Sequence, residues 1–118
     1  MNSSEIVRVG QLSMLSRVVK YAGVVYVTGL TATDKTAGIE GQTEQLLARL
    51  EELLATAGTD KTRLLSANIF LSNLNDKDGF NTVWTAWLTP EQMPTRAVIG
   101  SSDLGEGTLI EIVVTAAE

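Results

Sequence analysis

Hydrophobic and polar positions change period several times along this chain, and each change marks an element. Glu5-Ile6-Val7-Arg8-Val9 alternates like a short strand. After Gly10 a second strand is expected from Ser16 to Tyr21, then a turn at Ala22-Gly23 and a third strand through Val24-Val25-Tyr26-Val27-Thr28. Two β-rich runs across a tight turn read as a hairpin. Gly29 closes the third strand, and with no Cβ it lets a ligand or another backbone approach closely; a plain strand-ending glycine is the simpler reading. From Thr31 to Gly41 no period is visible, which predicts a loop.

The period then lengthens. Leu46, Leu47, Leu50, Leu53, Leu54 and Ala57 recur with helical spacing, while Gln45, Arg49, Glu51 and Glu52 take the other face. Gly58 falls where a helix C-terminus favours glycine. Leu64 to Leu71 returns to period two, with Leu65, Ala67, Ile69 and Leu71 on one side and Ser66, Asn68 and Phe70 on the other. Asn75 or Asp76 is placed to cap a second helix whose apolar stripe is Phe80, Val83, Trp84, Trp87 and Leu88, with Pro90 and Pro94 ending it. Both tryptophans are expected on the sheet. Asn81 faces either a cleft or, as is more common for a helical Asn, solvent.

The last quarter holds two more β-branched runs, Met93-Pro94-Thr95-Arg96-Ala97-Val98-Ile99 and Leu109-Ile110-Glu111-Ile112-Val113-Val114, separated by Ser101-Ser102-Asp103-Leu104-Gly105-Glu106-Gly107. This predicts an antiparallel hairpin with a long loop. Pairing symmetric about Asp103-Leu104 sets Arg96 directly opposite Glu111, close enough for guanidinium and carboxylate to serve one small space. Alternation then puts Ala97, Ile99, Ile110 and Ile112 on a core face, and Arg96, Val98, Leu109, Glu111 and Val113 on the other. A charge pair among apolar residues suits a cleft or a subunit interface better than water or a sealed core. A salt bridge that only fixes register explains the same pair.

The expected order is β, β-hairpin, α, β, α, β-hairpin, in one domain spanning residues 1–118. Two helices cover one face of such a sheet, so the fold class is α+β, a two-layer sandwich of a mixed six-stranded sheet with both helices on one face. The other face, left apolar, predicts self-association with closed symmetry.

Composition narrows the chemistry. The chain has no Cys and no His, which removes disulfides, thiolate nucleophiles, His-based triads and His metal sites together. No cofactor motif and no metal-ligand spacing remains; Gly105-Glu106-Gly107 lacks a third glycine and leads into a strand. A net charge of −5 with scattered Lys and Arg argues against nucleic acid as a partner. No apolar run approaches a membrane span, and Met1-Asn2-Ser3-Ser4-Glu5 has no leader character, so a cytoplasmic location away from membranes is expected. Catalysis would then run on carboxylates, Arg, Lys, Tyr, hydroxyls and backbone groups. Arg96 is suited to clamping a carboxylate or phosphate in a planar fork, and Glu111 to orienting a water beside it.

Pro94-Thr95-Arg96-Ala97, followed by Ile110-Glu111-Ile112, resembles the RidA/YjgF family of reactive intermediate deaminases. Tyr26-Val27-Thr28-Gly29, Ala57-Gly58, Ile69-Phe70-Leu71, Leu74-Asn75-Asp76 and Phe80-Asn81 fall where that family has similar segments, so the resemblance covers nearly the whole chain. It implies a homotrimer with a chorismate mutase-like barrel and an active site in each intersubunit cleft. It implies hydrolysis of 2-aminoacrylate and related enamines or imines to 2-oxo acids and ammonia, without a cofactor. Arg96 would hold the substrate carboxylate, helped by the backbone at Thr28 and Gly29, and Glu111 would position the attacking water. Where well-known members carry Gly-Pro-Tyr, this chain has Leu15-Ser16-Arg17-Val18, which marks a divergent subgroup. Arg17 would add a second cationic contact and favour a more acidic substrate, provided it is shielded from bulk solvent. Two other functions compete: a regulator that binds a small carboxylate without turnover, and an endoribonuclease, which suits an acidic chain without His poorly.

Overall fold

A computed structural model describes residues 5–118. The very start of the chain, read above for leader character, lies outside them at residues 1–4. Six strands and two helices follow in order: β1 (Val7–Gln11), β2 (Ser16–Tyr21), β3 (Val24–Thr31), α1 (Ile39–Thr56), β4 (Leu64–Leu71), α2 (Lys77–Trp87), β5 (Thr95–Gly100) and β6 (Ile110–Ala117). The strands form one sheet in the order β1-β2-β3-β6-β4-β5, antiparallel throughout except for the parallel pair β4 and β5. The α+β sandwich is as the residue pattern predicts.

The core lies between the sheet and the helices. Leu46, Leu47, Leu50 and Leu54 of α1 are buried against Val25, Val27, Ile112 and Val114, and α2 contributes Phe80 and Trp84. Gly58 takes φ +83° just past the end of α1, the left-handed position that stops a helix with least strain. The β2–β3 turn forms at Ala22-Gly23 with φ of 52° and 82°, the backbone that matches the twist of a two-residue hairpin.

The final hairpin does not form. β5 and β6 are separated by β4, which pairs parallel with β5 and antiparallel with β6. The crossover through α2 makes β5 run with β4, so the chain must pass over the end of β4 to reach β6. Ser101 N–H donates to Leu71 O and Ser72 N–H to Leu109 O at that crossing. A fully buried glutamine, Gln42 of α1, pins the passing loop: its amide donates to Ala37 O and Gly107 O and accepts from Leu109 N–H. Placing β6 in the sheet interior pairs its backbone on both edges, which an edge hairpin would leave half unpaired.

Smaller differences have local causes. Leu65 is 46% exposed, because the β4–β6 register shifts between Leu64 and Ser66 and turns it off the core face. α1 begins at Ile39, inside the expected loop. Asp76 stands at the N-cap of α2 without a side-chain cap bond; Asn73 accepts from Asn75 N–H and caps a preceding single turn instead. Trp84 packs on the sheet, but Trp87 turns to α1 and donates its indole N–H to Glu51.

Candidate active site

Strand register decides where the two candidate catalytic residues point. Arg96 pairs with Ala67, which is 1% exposed and faces the helices, so Arg96 lies on the helix side of β5 at the sheet edge. Glu111 pairs with Phe70 on β4 and Thr31 on β3, between the buried Ile110 and Ile112, so it lies on the open face. The two residues are two strands apart, offset by three positions, and on opposite faces, a backbone separation on the order of 14 Å. The expected direct opposition is therefore corrected, and with it the face assignment. Val98 packs on the core with Arg96, and Ile99 is 40% exposed on the open face with Glu111 and Val113.

Arg96 is held before any ligand arrives. Its Nη1 donates to Asn81 Oδ1 at 2.7 Å, and the guanidinium carbon stands 5.5 Å from the centre of the Phe80 ring and 5.9 Å from that of Trp84. Of the two orientations open to Asn81, cleft or solvent, the one taken turns its amide oxygen to this arginine. Cation–π contact and one hydrogen bond to an amide oxygen orient the fork while leaving other donors free. Among the described residues Arg96 makes no salt bridge, and the residue is exposed. It is a preoriented cation able to take a carboxylate from outside the chain.

Glu111 stands in a second constellation. The β3–β6 register shifts between Val27 and Leu30, a bulge that turns Thr28 and Gly29 out of the regular ladder. A Cβ built on Gly29 would lie 2.5 Å from Glu111 Oε2, so glycine is what lets the carboxylate rest against the strand. Two cations bind Thr31, the cross-strand partner of Glu111: Lys35 Nζ donates to Thr31 Oγ1 at 2.9 Å and Arg49 Nη1 to Thr31 O at 2.6 Å. Spacing in the chain gives no sign of either, because both contacts arise only when α1 and its preceding loop fold over β3.

Gly29, Thr28 and Arg17, three of the expected substrate contacts, line one open groove of about 450 Å³ with Leu12, Leu15, Leu30, Arg49, Glu52, Leu53 and Thr56. Arg17 is exposed, so the shielding from solvent on which its role as a second cationic contact depends is absent. Among the described residues no group of three or more carboxylates is placed to hold a metal ion.

The sequence profile of the family described as Endoribonuclease L-PSP matches residues 6–118. The chain belongs to the YjgF/RidA family. Relatives within that family bear this out at high coverage. A RutC family protein of Haemophilus ducreyi is 35% identical over 112 residues, 95% of this chain and 96% of the relative. The RutC family protein YoaB of Escherichia coli K12 is 30% identical over 112 residues, 95% and 97% of the two chains. Among solved structures, a YjgF-family protein of Neisseria meningitidis superimposes with a TM-score of 0.92 at 28% identity, covering 99% of this chain and 98% of the other.

Proposed function

We propose that this YjgF/RidA protein hydrolyses reactive enamine and imine intermediates of the 2-aminoacrylate type to 2-oxo acids and ammonia, in clefts shared by adjacent copies of a homotrimer. The observation that carries the reading is Arg96: oriented by Asn81 and two aromatic rings, exposed, and without a carboxylate partner among the described residues. Since Glu111 faces the other side of the sheet, one subunit supplies the clamp and the next supplies Glu111 and Gly29. The open face, which carries Tyr26 at 47% exposure together with half-buried Phe70 and Val113, is the surface such an assembly would cover.

The chemistry asks little of the protein. An enamine first takes a proton at its terminal carbon to become the imine. Water then adds across the C=N bond, with Glu111 accepting a water proton as the C–O bond forms. Carbon protonation leaves nitrogen with both its hydrogens, so the species attacked is the protonated imine and the product is a neutral carbinolamine. Glu111 returns its proton to that nitrogen, and as ammonia leaves the carbinolamine hydroxyl gives its own proton back to Glu111, leaving the 2-oxo acid. Imines hydrolyse unaided, so fixing the carboxylate on Arg96 and the water on Glu111 supplies a positional gain without any strong nucleophile.

Generating 2-aminoacrylate in situ and timing 2-oxo acid formation tests the reading: the protein should accelerate it and Arg96→Ala should not. No acceleration by the native protein would remove the proposal. Saturable binding of a small carboxylate without turnover would instead favour the regulatory reading. An endoribonuclease, the activity in the family's description, is opposed by the net charge of −5 and the absence of His.

A further inference from the structure

Between α1 and α2, on their solvent side, runs a groove of about 350 Å³ that the deaminase chemistry does not use. Its two walls differ in character. On α1, Glu40, Glu44 and Glu51 fall on one helical stripe about 16 Å long, and all three are exposed. Among the described residues none of them forms a salt bridge. The floor and the α2 wall carry no charge: Leu47 lies 2% exposed at the bottom, with half-buried Val83 and exposed Ala86 beside it. Contacts between the helices fix both ends. At one end Gly79 lets them touch, since a Cβ there would stand 2.7 Å from Ile39 Cγ2. At the other, Trp87 donates its indole N–H to Glu51 at 3.0 Å, and the Lys61 ammonium lies 5.5 Å from the centre of a Trp87 ring, a cation of the chain itself drawn to this end of the groove.

We propose that this groove docks a basic amphipathic helix of a partner protein. Apolar anchors at i, i+4 and i+7 seat on Leu47, Val83 and Ala86, and Lys or Arg residues on the adjoining stripe meet Glu40 and Glu44. Charge complementarity selects the occupant. The groove separates carboxylates and apolar surface into two stripes, and a helix separates its own side chains in the same way. A linear polyamine alternates ammonium groups with methylenes and sets cations against the uncharged wall. Ala48 and Ala86, small and exposed on the two walls, leave room for a third helix at the usual spacing of about 8–10 Å. Because the helices lie on the face of the sheet opposite the open one, docking here leaves that face free for assembly.

The probe is a peptide of leucine, lysine and alanine, about five helical turns long, with leucines along one stripe and lysines along the next. Its control has the same composition with the leucines scattered around the helix. In amide correlation spectra the patterned peptide should shift the Trp87 indole N–H resonance and not that of Trp84, which is 2% exposed, and should bind about ten-fold more tightly than the control. Ala48→Arg and Ala86→Arg each place bulk and a cation in the groove, at exposed helical positions that accommodate arginine, and each should weaken binding about ten-fold or more. Glu44→Gln should weaken it by about two- to five-fold, the range of an exposed ion pair. Thermal melts identify an arginine variant that fails to fold, in which case the other decides. No binding to the native protein, equal affinity for the control, an unmoved Trp87 resonance, or native affinity in the folded arginine variants would overturn the proposal. Equal affinity for spermidine would assign the groove to small polycations and overturn it too. All of these outcomes leave the deaminase reading standing, since neither alanine belongs to the constellations of Arg96 and Glu111.

Discussion

Arg96 and Gly29 do opposite things with the same requirement, a fixed geometry at a single side chain. Arg96 is fixed by what touches it, Asn81 through a 2.7 Å hydrogen bond and the Phe80 and Trp84 rings by stacking. Lysine keeps the charge but has neither the planar fork nor the stacking surface. Arg96→Lys should therefore lower kcat/KM for 2-aminoacrylate by about 10- to 100-fold, the loss of a charge-assisted bidentate contact worth about 1.5–3 kcal/mol. A variant retaining more than half the native value would show that only charge matters there. Gly29 fixes its neighbour by leaving room. In Gly29→Ala the new methyl would meet Glu111 Oε2, the free end of a flexible side chain, so the carboxylate swings away while the strand stays. Thermal stability should change by less than about 1 kcal/mol while kcat/KM falls about ten-fold or more. A stability loss in proportion to the activity loss would count against that division.

Among the elements, the β2–β3 turn carries the clearest backbone strain. Ala22 sits at φ 52°, a left-handed conformation that costs a residue with a Cβ about 1–2 kcal/mol, against about 0.5–1 kcal/mol for the extra freedom glycine has when unfolded. Ala22→Gly should thus raise the unfolding free energy by about 0.5–1 kcal/mol in urea titration. The single turn before β4 has a pH signature. Asp60 accepts from the Thr62 hydroxyl and then from its backbone N–H, which holds its carboxyl below the ordinary 3.8. A folded value below the unfolded one means that its contribution is present above pH 3.8 and is lost as pH falls through the folded value. Asp60→Asn should flatten that part of the stability profile, with the remainder of the curve unmoved. The elements themselves were legible wherever the signal is local: the leucine stripe of α1, Gly58 at its end and the Ala22-Gly23 turn are all set within a few residues. Strand neighbours were not. Two β-branched runs joined by a loop read as a hairpin in any sequence, whereas here β4 pairs with both of them and the buried Gln42 holds the crossing loop, contacts between positions far apart in the chain. The error reached the site, because moving Arg96 from opposite Glu111 to beside Ala67 also carried it to the other face of the sheet.

For the whole molecule, that change of face turns a question about one hairpin into one about assembly. A single chain sets Arg96 with Asn81 at one edge and Glu111 with Gly29 on the open face, with the sheet between them. If clefts between copies join one half to the other, subunits damaged in different halves should repair each other. In a cyclic trimer built from Arg96→Ala and Glu111→Gln subunits, every mixed assembly has one cleft with both native residues and two without. Random reassembly from equal amounts, after co-denaturation and refolding, should therefore restore about a quarter of native activity from two variants that are each inactive. Were both residues contributed by the same subunit, each site in the mixture would still lack one of them and activity would stay at the level of the separate variants. Mixing without unfolding gives the control, since no exchange of subunits means no recovery. The recovered fraction is independent of ring size: a cyclic assembly with more subunits yields the same quarter on average but distributes it over more classes of mixed oligomer, and mass measurement of the intact species is what reads the size of the ring.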